Sequence, residues 1–336
     1  NYLPYSVGLM RSHATKYYTG TTPLKFSNFI YKRIDTNAAL KEIVQCNIVG
    51  FSAYVWNIRL TLKIAKELKK SNPECLIVFG GPQVPDKAEE FLRVNNFIDI
   101  AVHGEGEQVF TEILNKFSTR DFTNISSTSY IKEDGSFVTN PRYVRVKLLD
   151  EIPSPYLMGV FNDIMQNSTD EKWISMWETN RGCPFSCTFC DWGSAVASKV
   201  NQFGLERLYE EIKWFSDNKI EFVNCCDANF GILQRDLDIA QHVVDIKKKT
   251  GYPNAMSVQN TKNATERAYV VQKVLADSGL NTGVTISLQS MDAQTLSNIK
   301  RANISTKSFQ ELQRRFTKDK IATYTVLFGL TFSPAQ

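Results

Sequence analysis

Apolar residues in the first third of the chain come in short continuous runs, separated by amphipathic stretches. Asn47-Ile48-Val49-Gly50-Phe51-Ser52 reads as a buried strand, and Leu60, Ile64 and Leu68 then fall at four-residue steps on one helical face. Cys75-Leu76-Ile77-Val78-Phe79 is a second strand, closed by Gly80-Gly81-Pro82. A short helix from Asp86 to about Val94 leads into Ile98-Asp99-Ile100-Ala101-Val102. Gly104-Glu105-Gly106-Glu107 then opens a helix carrying Phe110, Ile113, Leu114 and Phe117. This alternation, from about residue 36 to 118, predicts a parallel sheet covered on both faces. Ligands of such sheets bind at the carboxyl ends of the strands, here Ser52, Gly80-Gly81 and His103-Gly104.

The rhythm breaks over 119–175. Tyr130-Ile131-Lys132 and Phe137-Val138 flank Asp134-Gly135, which predicts a hairpin. Ile152-Pro153-Ser154-Pro155-Tyr156 is a stiff connector, because two prolines restrict the backbone. From Lys172 strand and helix alternate again. Strands are expected at Trp173–Trp177, Ile220–Cys225, Ala255–Val258, Val284–Leu288 and Ile321–Gly329. The intervening helices carry Leu205, Leu208, Ile212 and Phe215; a stretch near Leu237–Ile246; Ala268, Val271 and Leu275; and Phe309, Leu312 and Phe316. Five strands joined by helices read as a barrel cut short rather than a closed one. The expected organisation is thus a doubly wound domain over 1–120, a connector with a hairpin over 121–171, and a partial barrel over 172–336.

Composition narrows the chemistry. The chain has 336 residues, 43% hydrophobic and 22% charged, as expected of a globular protein. A net charge of +4 without runs of like charge argues against a dedicated nucleic-acid surface. No apolar stretch approaches the roughly 18 residues that span a membrane. The first residue is Asn1 and the last, Gln336, follows a strand-like run, so the sequence is expected to be a piece lacking both ends. Seven cysteines are too sparse for a disulfide scaffold, and a reducing, cytoplasmic compartment is expected.

Three of those cysteines carry the sharpest signal. Cys183-Pro184-Phe185-Ser186-Cys187-Thr188-Phe189-Cys190 spaces them C-x3-C-x2-C, directly after the first strand of the second half. Three thiolates from one loop suit an iron–sulfur cluster with one iron left open, whereas a fully held cluster takes four. The competing reading is a structural zinc knuckle. Zinc wants four ligands, and no histidine or fourth cysteine lies near in sequence. Cys225 and Cys226 are the other candidates for a fourth thiolate, and they read as small buried strand residues.

The cysteine loop, with Phe189 before its last cysteine, resembles the radical S-adenosylmethionine (SAM) enzymes. Asn224-Cys225-Cys226-Asp227-Ala228-Asn229-Phe230 is similar to that family's second strand end. Thr285-Ile286-Ser287-Leu288-Gln289-Ser290, with Ile299-Lys300-Arg301, looks like its fourth strand and the following helix. The N-terminal part resembles the cobalamin-binding domain fused to one subgroup, through Leu3–Leu9, Val78-Phe79-Gly80-Gly81-Pro82 and His103-Gly104-Glu105-Gly106-Glu107. Two stretches depart from the pattern. Ala101 stands where the cobalt-ligand motif Asp-x-His-x-x-Gly has aspartate, so the resemblance implies cobalamin without a protein histidine ligand. Phe328-Gly329-Leu330-Thr331-Phe332 stands where relatives read Gly-Leu-Pro-Gly-Glu-Thr.

The resemblance implies an α/β protein with a Rossmann-like (flavodoxin-like) cobalamin-binding domain and a partial (β/α)6 radical SAM barrel. Cys183, Cys187 and Cys190 would hold a 4Fe–4S cluster whose fourth iron takes the amino and carboxylate groups of SAM. One electron, from a donor such as flavodoxin or ferredoxin, would then break the sulfonium bond. On the SAM side, Phe189 shields the cluster or packs the loop, and Asp227 and Asn229 contact SAM or cap their turn. Gln289 and Ser290 face the ribose and Arg301 the carboxylate, or all three are ordinary polar positions. On the cobalamin side, Ser52, Gly80 and Gly81 would approach the nucleotide tail, or the two glycines are a plain turn; Gly104 and Glu105 would touch the tail or only start the next helix. Trp56 covers the lower face of cobalt or packs the sheet end. The implied reaction is methylation or rearrangement of an unactivated carbon or phosphorus in a small-molecule substrate. A radical SAM enzyme without cobalamin, for example one that modifies RNA, and a non-catalytic metal-binding module are the alternatives.

Overall fold

The computed structural model describes residues 1–190, 197–261 and 265–325, and they divide into two compact units. One comprises Pro4–Lys147 with Glu151–Thr169. The other comprises Asn1–Leu3, Leu148–Asp150 and the chain from Asp170 onward.

The first unit is built on a five-stranded sheet of order β1-β2-β3-β4-β5. Strands β1 (Ile48–Ser52), β2 (Leu76–Gly80) and β3 (Ile100–Val102) run parallel. The hairpin strands β4 (Thr128–Ile131) and β5 (Phe137–Thr139) extend the sheet antiparallel. Within β2 the period-two rule sorts the side chains. Ile77 and Phe79 pack with Ala39, Ile64, Leu68 and Leu92 on one face. Leu76 and Val78 pack with Val109 and Ile113 on the other. Each such fully buried side chain contributes roughly 1.5–3 kcal/mol. The hairpin turn forms as its residues dictate. Asp134 Oδ1 accepts from Ser136 N at 2.8 Å, and Gly135 supplies φ +81°.

The ends of β1 and β2 are stitched together. Ala53 N donates to Gly80 O at 2.7 Å, and Gln83 N donates to Ala53 O at 3.1 Å. Gly81 sits at φ +109°, and a Cβ there would lie 2.7 Å from Ala53 O. Gly81→Ala is therefore expected to cost about 1–3 kcal/mol through backbone strain, read as a lowered denaturant midpoint with unchanged slope.

In the second unit β6 (Ile174–Trp177), β9 (Phe222–Cys225) and β10 (Ala255–Ser257) form a parallel sheet of order β10-β9-β6. A parallel pair, β11 (Gly283–Thr285) and β12 (Ala322–Tyr324), stands beside it in sequence order. A short antiparallel ribbon, β7 (Asn180–Arg181) with β8 (Asn201–Gln202), flanks the cysteine loop. Helices Leu205–Asp217, Asp236–Thr250, Thr265–Asp277 and Thr306–Lys318 make the crossovers. The α/β class and the open, partial barrel are as expected, with no closed barrel among the described residues.

One feature of β11 differs from expectation. It ends at Thr285 rather than Leu288, because the chain turns back through Gln289 at φ +66° and a Ser290 N–Leu288 O bond of 2.8 Å. The expected end of the last strand, 326–329, and the departure at 328–332 lie outside the described residues. Among the described residues no helix is long and apolar enough to cross a membrane.

Candidate functional site

Strand β6 delivers the chain to the cysteine loop through Thr179, Asn180, Arg181 and Gly182. Cys183 and Cys187 are buried and Cys190 is half-buried. Backbone bonds shape the loop: Ser198 N to Cys183 O at 2.8 Å, Ala197 N to Phe185 O at 2.9 Å, and Thr188 N to Ile299 O at 3.0 Å. Gly182 is indispensable to this path. Its φ is +130°, and a Cβ would lie 2.3 Å from Lys199 O.

The end of β9 grips the same loop. Asp227 is buried, and its Oδ1 accepts from Thr179 N at 2.8 Å and Asn180 N at 3.2 Å. Its Oδ2 accepts from Asn180 Nδ2 at 2.8 Å and from the Thr179 hydroxyl. Asp227 thus faces the base of the cysteine loop. Asn229, also buried, donates from Nδ2 to Cys183 Sγ at 3.1 Å.

Burial pushes the Asp227 carboxyl up to about 7, against the pull of its bonds from Thr179 and Asn180. A raised acid pKa means that the folded state favours the protonated form. The associated stability is full below the unfolded value near 3.8 and is lost as pH rises through about 7. The contribution of Asp227 to stability is therefore expected to fall from about pH 4 to about pH 7, on the order of 1 kcal/mol for each pH unit crossed. Asp227→Asn should flatten that slope, whatever its own midpoint. Equal slopes in thermal melts of the two proteins would contradict this reading of Asp227.

Beside the loop lies a cavity of about 190 Å³. Cys183, Cys190, Phe189, Gln289 and Arg301 line it, with Gln259, Asn260 and Thr261 from the end of β10. Ile304, Leu312 and Phe316 supply an apolar wall. Two buried polar atoms of this lining have no partner among the described residues, Gln289 Oε1 and Arg301 Nη1. The rest of Arg301 is fixed, with Nε donating to Asn303 Oδ1 at 2.6 Å and Nη2 to Ser287 O. Asn303 braces the same turn by donating to Leu288 O at 2.6 Å and Ser290 O at 2.9 Å.

Of the residues expected to meet SAM, Phe189, Gln289 and Arg301 therefore converge with Cys183 and Cys190. Asp227, Asn229 and Ser290 are not part of the lining. The Ser290 hydroxyl instead accepts from Asp292 N at 3.1 Å, where it helps start helix Ala293–Asn298.

Fit to an iron–sulfur cluster and SAM rests on donor chemistry. Three thiols share one loop, two of them face a cavity, and that cavity presents an unpartnered guanidinium N–H and an unpartnered carbonyl. Among the described residues no three His, Cys, Asp or Glu side chains are already gathered into a metal-holding cage. The spacing of the loop is what groups the three cysteines. Cys225 and Cys226 offer no competing ligand. Burial raises both thiols, Cys226 to about 12, and neither lines the cavity.

In the first unit the residues expected to meet cobalamin share one edge, at the carboxyl ends of β1, β2 and β3. Ser52 lies 3.4 Å from the Ser6 hydroxyl. Trp56 is 74% exposed and stacks on Tyr54 at 4.6 Å, leaving an indole face open. Gly80 is unstrained, whereas the missing side chain of Gly81 is needed by Ala53. Gly104 has φ +72° and open space around it. Glu105 is turned to its own unit, accepting from Val146 N at 3.0 Å and pairing with Arg145 at 3.5 Å. The ring of His103 points inward, with Nε2 2.9 Å from Ser129 Oγ.

Sequence reasoning missed Thr179, Asn180, Gly182, Asn303 and the Gln259–Thr261 stretch. Only the last carried a usable signal, a polar run directly after an apolar strand.

The B12 binding domain family matches residues 30–114. Over 343 aligned residues the chain is 36% identical to the cobalamin-dependent radical SAM methyltransferase TokK of Streptomyces tokunonensis, covering 100% of this chain and 50% of that protein. It is 37% identical to a 2-(S-pantetheinyl)-carbapenam-3-carboxylate methyltransferase of Streptantibioticus cattleyicolor, covering 97% of this chain and 48% of that one. The chain therefore spans about half the length of the curated relatives it matches. Its fold is that of the radical SAM methyltransferase TsrM from Kitasatospora setae, solved with cobalamin and a [4Fe-4S] cluster. The TM-score is 0.72 at 14% identity, over 97% of this chain and 64% of that one. The resemblance read from the motifs is borne out: a B12 binding domain lies in the first unit, and essentially the whole chain is similar to cobalamin-dependent radical SAM methyltransferases.

Proposed function

We propose that this chain is the cofactor-binding part of a cobalamin-dependent radical SAM enzyme that methylates an unactivated carbon of a small molecule. The observation that carries the proposal is the cysteine loop beside a cavity with unpartnered Gln289 Oε1 and Arg301 Nη1. Cys183, Cys187 and Cys190 supply three thiolates to a 4Fe–4S cluster. Arg301 Nη1 pairs with the SAM carboxylate, for which a guanidinium is the matched donor. Gln289 Oε1 accepts from an N–H or O–H of the same ligand. Phe189, Ile304, Leu312 and Phe316 exclude water from the reacting centre.

In the first unit, Ser52, Gly80, Gly81 and Gly104 edge the cobalamin site, and the open face of Trp56 offers an apolar cover for the corrin. When bound, the cluster and SAM supply a carbon-centred radical by one-electron chemistry, and cobalamin supplies the methyl group. The electron comes from a low-potential protein of the flavodoxin or ferredoxin class. Reduced thiolates and an oxygen-sensitive cluster suit a cytoplasmic setting. One relative's name gives a carbapenam carboxylate as its substrate, which makes that class the first to test.

The test uses full-length protein, reconstituted without air with iron, sulfide and cobalamin, and methyl-labelled SAM. The expected products are 5′-deoxyadenosine, S-adenosylhomocysteine and a labelled methyl group on the acceptor. SAM cleavage without cobalamin retention would favour the cobalamin-free enzyme instead. No cleavage would overturn both enzyme readings.

A further inference from the structure

We propose that Asn229 is a positioning residue for the cluster, donating an N–H···S hydrogen bond to the Cys183 ligand and thereby raising the cluster's reduction potential. The inference rests on the cluster reading above and adds a role for a side chain outside the cavity lining.

Three observations carry it. Asn229 is 1% exposed, so its amide sees protein rather than water. Its Nδ2 lies 3.1 Å from Cys183 Sγ. Its Oδ1 is buried with no hydrogen-bond partner among the described residues, and among them Cys183 Sγ is where the side chain makes its bond. A ligating thiolate has no proton to give, so only the N–H edge of the amide can face it. The carbonyl edge would set a partial negative charge against sulfur.

The backbone around Asn229 is held on both sides. Phe230 N donates to Gln259 O at 2.7 Å, Thr261 N donates to Phe230 O at 3.0 Å, and Ile232 N donates to Asn229 O at 3.2 Å. The amide cannot swing away cheaply. Two residues earlier, Asp227 holds Thr179 and Asn180. The same strand end therefore grips the loop at its base and at its first cysteine.

The direction of the effect follows from charge. One electron enters from a low-potential donor and takes the cluster to its one-electron-reduced form. No bond in the protein breaks and no proton moves. The added negative charge spreads partly onto the thiolate sulfurs, so a fixed N–H donor stabilises the reduced form more than the oxidised one. Hydrogen bonds to charged groups are the stronger kind. Loss of this one is expected to weaken the reduction equilibrium about tenfold, or ~59 mV for one electron.

The test is a redox titration of anaerobically reconstituted wild-type, Asn229→Leu and Asn229→Asp proteins, followed by the EPR signal of the reduced cluster. Leucine keeps the approximate shape and removes the donor, and its midpoint should move negative about tenfold in the equilibrium constant. Aspartate sets a carboxylate beside sulfur and should move it further. A loaded Asn229→Leu protein with an unshifted midpoint overturns the proposal. Should the variants lose their clusters, pulsed EPR of wild-type protein with asparagine labelled at Nδ2 decides: a coupling to that nitrogen supports the bond, and its absence refutes it. Wild-type protein that takes up no cluster would instead sink the parent reading.

Discussion

Alanine at Cys183, Cys187 or Cys190 is expected to reduce 5′-deoxyadenosine formation to background, with iron and sulfide content falling in parallel. Three thiolates are the minimum that holds three corners of a 4Fe–4S cluster, and the cavity lining has no other Cys, His, Asp or Glu to replace one. Cys183 carries an additional penalty. Its loss strands the buried amide of Asn229, and an unsatisfied buried donor costs about 1–3 kcal/mol. Cys225→Ala and Cys226→Ala are the matched controls. Both thiols are raised by burial and lie off the cavity lining, so both variants should retain cleavage. Product analysis and iron assay on the same five proteins check the whole pattern.

Gly182→Ala should be nearly as damaging, although it removes no ligand. The added Cβ would lie 2.3 Å from Lys199 O, and φ +130° is a conformation that side-chain-bearing residues rarely adopt. Backbone on both sides of the contact would have to move, and the next residue is Cys183. Strain of this kind costs on the order of 1–3 kcal/mol before the clash is counted. Most cluster iron should be lost while far-ultraviolet circular dichroism is kept. Gly251→Ala provides the contrast. It also has positive φ, but its Cβ would enter open space, so a modest loss of stability with normal iron content is expected.

The parts of this molecule that announce themselves in sequence are those whose physics is local. Strands β1 and β2 are continuous apolar runs closed by serine or glycine; β2, in the middle of the sheet, is buried on both faces, whereas the edge strand β1 is half-buried. The cysteine spacing is legible because three thiolates at short separation serve few purposes. The hairpin at Asp134-Gly135 is legible from its turn residues, but its addition to the edge of β3 is a long-range pairing that no local pattern encodes.

The direction in which a strand-end side chain points is equally silent. Asp227 and Gln289 look alike as polar residues after apolar runs. One turns to Thr179 and Asn180, and the other lines the cavity. Gly182 was invisible because its necessity comes from Lys199, on the far side of the loop. Asn303 was missed for the same reason, since its partners Leu288 and Ser290 belong to the preceding strand end.

The most direct measurement is pulsed EPR of the reduced cluster in anaerobically prepared, full-length protein, with SAM labelled in its amino nitrogen and carboxylate. Couplings from both labels to one distinct iron are expected, because three thiolates leave one iron without a protein ligand and free to take both groups. A zinc-filled site, or a cluster whose fourth iron is capped by a protein side chain and ignores labelled SAM, would contradict the proposal at its root.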